Sequence, residues 1–218
     1  MTSTTSTDPG PSEGDGPSDP RLPTHRRVIE IEAFEGDGSF ELVAHLRDER
    51  PWATGSHRDL VHEMELKVTV ARPDMTITAA EATMSTIPHP ECADIEEAFT
   101  GLVGLNVARG YTRAVQERFG RQNGCAHLEF LARTLAPVVI QAVGSAKNRA
   151  VSRGDTGPGE ATGPLLGPEW LTNTCHVWAE GGVGPQLMEL GWRPGPHEYP
   201  APALVELRRR RAEEADPT

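Results

Sequence analysis

Residues 60–70 read LVHEMELKVTV. Met64, Leu66, Val68 and Val70 alternate with Glu63, Glu65, Lys67 and Thr69, the period-two pattern of a strand with one buried and one wet face. Working outward from it, Arg72-Pro73-Asp74 supplies a turn, and Met75-Thr76-Ile77-Thr78-Ala79 returns as a neighbouring strand. Upstream, Ile29, Ile31 and Ala33 alternate with Val28, Glu30 and Glu32. Gly36-Asp37-Gly38 then turns the chain, and Phe40, Leu42, Ala44 and Leu46 resume the alternation. Four antiparallel strands with one apolar face need a cover, and the period lengthens to supply it. Ile95, Ala98, Phe99 and Leu102 mark one helix, Arg109 to Phe119 a second, and Leu128, Leu131, Leu135, Val138, Val139 and Ala142 a long third one, expected to bend at Pro137. Strands first and helices afterwards predict an α+β fold of two layers, an antiparallel sheet of two hairpins covered on one face by about three helices.

The flanks differ in composition. Residues 1–24 are rich in Ser, Thr, Pro, Gly and Asp, which cannot repay the entropy of ordering, and are read as a disordered acidic tail. Residues 25–149 form the core domain, 150–165 a flexible linker, and 166–218 an appendage with a Cys-His segment and a charged final helix. With 32 acidic against 21 basic residues, the net charge of -11 opposes general binding to nucleic acid. No run of about 18 apolar residues and no secretory signal is seen, so no membrane is expected and the location is read as cytoplasmic. Three cysteines without a CxxC pair suit reduced thiols.

Several positions stand out chemically. His62 shares the parity of Met64, Leu66, Val68 and Val70, so its imidazole should point to the covered face. Cys92 follows Pro88-His89-Pro90-Glu91 and precedes Ile95 by three, at the first turn of the first helix on its apolar side. Cys125 follows Gln122-Asn123-Gly124 and precedes Leu128 by three, at the start of the third. A helix start favours a thiolate. Taken singly, each cysteine reads first as a small buried hydrophobe and His62 as a hydrogen-bonded core histidine. Taken together, His62, Cys92 and Cys125 are the expected metal ligands, and N and S donors suit zinc or an iron-sulfur cluster. His127 lies about 200° around a helix from Cys125 and joins the set if the helix begins later. Cys175 or His176, adjacent in TNTCHVWAEGG, is a further candidate for the fourth ligand, one of the pair at most pointing inward. For an enzyme, His127 or His176 would be the general acid or base, and Arg113 could pair with a substrate carboxylate. No HExxH, GxSxG or Walker A motif occurs.

From Arg26 to about Ala142, the elements DERPW, LVHEMELKVTV, PHPEC, LVGL, GYTRAVQERFG and GCAHLEFL follow in an order that resembles an uncharacterised bacterial family, domain of unknown function 2889. Its members typically carry a His-Asp-Met strand and a Gly-Cys-Thr-His-Leu helix start; His89 and Ala126 depart from the pattern. More distantly, LVHEMELKVTV, MTITAAEA, Cys92 and GCAHLEFLARTLAPVVIQAV resemble the successive elements of iron-sulfur cluster assembly scaffolds of the IscU/NifU type. That resemblance implies a scaffold-like fold with His62, Cys92 and Cys125 as donors, although Leu60 and Gly124 stand where the scaffolds have a cysteine and a histidine. The expected function is a metal-, iron-sulfur- or sulfur-binding accessory protein with a protein partner or small-molecule substrate. The alternatives are a metal-assisted enzyme on a small acid or acyl compound and an interaction module with buried thiols.

Overall fold

The computed structural model describes residues 23–53, 59–72, 74–155, 171–192 and 200–215. The expected disordered tail falls outside these except for its last two residues, as do most of the expected linker and Trp170. Four strands, β1 (Arg26–Glu35), β2 (Ser39–Glu49), β3 (Leu60–Ala71) and β4 (Ile77–Thr86), form one antiparallel sheet in the order β1-β2-β3-β4. Two 3-10 helices, Pro90–Ile95 and Glu97–Leu102, lead to α1 (Tyr111–Phe119), a short 3-10 turn at Arg121–Asn123 and α2 (Ala126–Arg153). The α+β architecture read from the alternation is the one observed.

The core is the covered face of the sheet. Phe40, Leu42, Ala44 and Leu46 of β2 lie beside Val70, Val68, Leu66 and Met64 of β3, all of them buried. Leu128, Leu131, Ala132, Leu135 and Val139 recur at helical spacing along α2 and are fully buried where it packs across β1, β2 and β3. Phe99 stacks on Phe119 with ring centroids 4.6 Å apart, joining the second 3-10 helix to α1. β1 is an edge strand, so Ile29, although on the covered side, remains 37% exposed.

Four expectations change. The segment around Cys92 is not an α-helix: Cys92 N–H bonds to His89 O, and Glu96 N–H to Ala93 O, three residues back, in a chain opened by Pro88 and Pro90. In β4 the register slips between Thr69/Ala79 and Val70/Ile77, a bulge that exposes Ala79 and turns Ala82 and Met84 to the core beside Ile77. α2 continues through Pro137 as one helix and runs to Arg153, into the expected linker. By length and composition alone it is also apolar enough to cross a membrane, a property no short hydrophobic run revealed, yet its Leu face is packed on the sheet.

The appendage carries α3 (Val183–Glu189) and α4 (Leu204–Ala215), which contact each other. Trp178 packs flat on Gly184, where a Cβ would come within 2.7 Å of the indole.

Candidate functional site

One polar row crosses the covered face. Arg27 of β1 is the register partner of Asp48 of β2, and Asp48 that of His62 of β3. Asp48 continues the parity of Phe40, Leu42, Ala44 and Leu46, so the rule that buries leucines also buries this carboxylate, to 1% exposure. Beyond it, Glu49 pairs with Leu60, which leaves Val61 as an extra residue and bends β3 beside the row.

A buried carboxylate requires partners, and Asp48 has several. Arg27 donates through Nε to Oδ1 and through Nη2 to Oδ2, each at 2.7 Å. His25 Nε2 lies 3.2 Å from Oδ1 and His62 Nδ1 3.1 Å from Oδ2. Burial pushes the Asp48 carboxyl up, but the Arg27 hydrogen bonds and charge, helped by His127 and His62, overcome this and hold it at about 2.

The start of α2 supplies the other side. Gly124 precedes Cys125 for a steric reason: a Cβ there would collide with the Phe119 carbonyl oxygen. Cys125 is extended (φ -91°, ψ 128°) and is the N-cap, so the helix begins at Ala126. This meets the condition under which His127 joins the site. His127 Nε2 lies 3.4 Å from Asp48 Oδ2, its ring centroid is 4.0 Å from that of His62, and its Nδ1 lies 3.6 Å from Cys125 Sγ. Burial, followed by the nearby charges of His62 and Arg27, lowers the His127 pKa against the opposite pull of Asp48. Its neutral form, with one free nitrogen lone pair, is thereby favoured.

Asp48, His62 and His127 are a group whose ligand atoms all lie within 4.8 Å of one another among the described residues. Of the expected trio His62, Cys92 and Cys125, His62 alone belongs to it. Cys92 is half-buried against the apolar core, and Cys125 touches the group through the far nitrogen of His127. Cys175 and His176 are exposed in turns outside the group. Arg113 is 85% exposed and pairs with Glu117 one helical turn on. Asp48, Arg27 and His25 escaped the sequence reading, although the parity argument applied to His62 applies equally to Asp48. At the same end of the sheet Asp59, Leu60, Ser85, Thr86 and Ile87 line a hollow of about 400 Å³, beside the donor group rather than within it.

The scaffold resemblance requires two thiolates beside His62, and the donor group contains none. No curated protein and no solved structure matches the chain. Residues 25–141, more than half of the sequence, match the family described as a protein of unknown function (DUF2889). Every member of the polar cluster, from His25 to His127, falls inside that span, and the chain belongs to this family.

Proposed function

We propose that Asp48, His62 and His127 bind a divalent transition metal, zinc or ferrous iron, and that the domain is a metal-dependent enzyme on a small molecule. The convergence of the three donors carries this reading. Ligands about 2.0–2.2 Å from one ion lie about 2.8–3.6 Å from each other in octahedral or tetrahedral geometry. Asp48 Oδ2 is 3.1 Å from His62 Nδ1 and 3.4 Å from His127 Nε2. Two imidazoles and one carboxylate leave coordination positions for water or substrate, the requirement of a catalytic rather than a structural site. Arg27 uses one lone pair on each carboxylate oxygen, so Oδ2 keeps another for an ion, and Arg27 serves as the outer partner that orients the ligand. An iron-sulfur cluster fits this donor set poorly, because such clusters are held chiefly by thiolates.

The test is titration of chelator-treated protein with zinc and, without oxygen, with ferrous iron, followed calorimetrically and by elemental analysis. The expected outcome is about one equivalent bound, with binding lost in His62→Ala and His127→Ala. A cobalt(II) complex should lack a sulfur-to-metal charge-transfer band. Binding unchanged in both variants, or none in the parent protein, overturns the reading.

A further inference from the structure

His127 faces two ways, and the metal reading uses one of them. Its Nε2 lies 3.4 Å from Asp48 Oδ2, and its Nδ1 is in hydrogen-bonding contact with Cys125 Sγ, 3.6 Å away. Asp48 is fixed by the two Arg27 bonds, and the ring of His62 lies against that of His127. A thiol within hydrogen-bonding reach of an imidazole is therefore followed, on the far side of that ring, by a carboxylate at ion-pairing distance. In such an arrangement the imidazole takes the proton of the nucleophile while the nearby carboxylate charge steadies the cation that forms. Cys125 is half-buried, so it is accessible yet constrained. As the N-cap of α2 it adjoins first-turn amides that its own side chain does not cap. Those donors are suited to an oxygen that gains negative charge as a carbonyl is attacked.

We infer that Cys125 is an acyl-accepting nucleophile whose substrates are acyl thioesters. Cys125 Sγ attacks the thioester carbon and its proton passes to His127 Nδ1. The carbon–sulfur bond to the departing thiol then breaks, and that thiol leaves with the proton from His127. One carbon–sulfur bond is formed and one broken, so no oxidant or external energy source is needed. The thioester is favoured over an amide because its exchange with a thiol replaces like with like. This activity belongs to the metal-free protein and goes beyond the metal reading: an ion on Nε2 would leave Nδ1 carrying a hydrogen, unable to accept another.

The three cysteines provide an internal control, since Cys175 is exposed whereas Cys92 and Cys125 are half-buried. The full chain, with chelator present, is incubated with the acetyl thioester of N-acetylcysteamine. Thioester consumption is followed by chromatography and the acetyl group located by peptide mass analysis. The expected result is acetylation of Cys125 at least about tenfold faster than of Cys175, despite its lower exposure. His127→Gln should slow Cys125 by about a hundredfold and leave Cys175 unchanged, and Cys125→Ser should abolish the fast consumption. The unaltered Cys175 rate and an unchanged circular dichroism spectrum report that the variants fold. Acetylation of Cys175 ahead of Cys125, or a Cys125 rate indifferent to His127→Gln in folded protein, overturns the inference. Because no ion is present, neither outcome depends on whether the metal reading holds.

Discussion

The β2–β3 pair has a dry end and a charged end made by the same geometry. Four successive rows, Phe40–Val70, Leu42–Val68, Ala44–Leu66 and Leu46–Met64, are apolar and buried, and the next row on that face is Asp48–His62. The covering helix does not stop at the change, so Asp48 is shut away from water as thoroughly as the leucines. At the dry end burial itself stabilises. At the charged end burial costs free energy, which only Arg27 and the histidines offset. The two ends should therefore fail differently when cut.

The largest effect belongs to the dry end. Leu66→Ala, at a position with 0% exposure, should cost about 2–5 kcal/mol in chemical denaturation through lost transfer free energy and the cavity left behind. Metal stoichiometry in the folded fraction should not change. If Leu66→Ala abolished metal binding in protein still folded, the two ends would not be separable.

Next comes the acid limb of stability. The Asp48 carboxyl sits at about 2 in the folded chain, against about 3.9 when unfolded. A depressed carboxyl stabilises the fold above its unfolded value and loses that contribution as pH falls through its folded value. Some ~2 kcal/mol should thus be present above pH 4 and disappear between about pH 4 and pH 2. Asp48→Asn should flatten this limb and lower stability at neutral pH by a similar amount, because Arg27 loses its charged acceptor. An unaltered acid limb in the variant would place the titrating group elsewhere.

How far the sequence foretold these two ends follows from the kind of signal each leaves. The dry end was legible because alternation over β2 and β3 is redundant, several apolar residues voting for one face. His62 was legible because it breaks that vote in an otherwise apolar set. Asp48 breaks it in the same way, but an acidic residue near a strand end is ordinarily solvated, and the arginine that allows its burial is on a different strand. The placement of His127 depended on whether α2 begins at Cys125 or Ala126, a one-residue question that periodicity does not resolve. The bulge in β4 was equally hidden, since the small side chains of Ala79, Ala80 and Ala82 give no strong preference for either face.

A smaller effect couples the two uses of His127. Saturating zinc should slow acetylation of Cys125 by at least about tenfold, because an ion on Nε2 fixes a hydrogen on Nδ1 and removes the proton acceptor that the thiol needs. Cys175 should react as before. Zinc that binds without altering the Cys125 rate would show that the ion is not held by His127.

The smallest effect tests whether the charged end is special or whether any charge on the domain would do. Arg113 was a candidate for pairing with a substrate carboxylate, and its bond to Glu117 at 2.7 Å is as short as those of Arg27 to Asp48. Geometry is therefore alike and solvation is not: Arg113 is 85% exposed, whereas Asp48 is buried. Water already solvates both ends of the exposed pair and screens their attraction, so little is lost when one is removed. Arg113→Ala should change stability by less than about 0.5 kcal/mol and leave both metal affinity and the Cys125 acetylation rate where they were. A clear loss of either activity would mean that α1 takes part in the site, and that the row Arg27–Asp48–His62 with the start of α2 is not the whole of it.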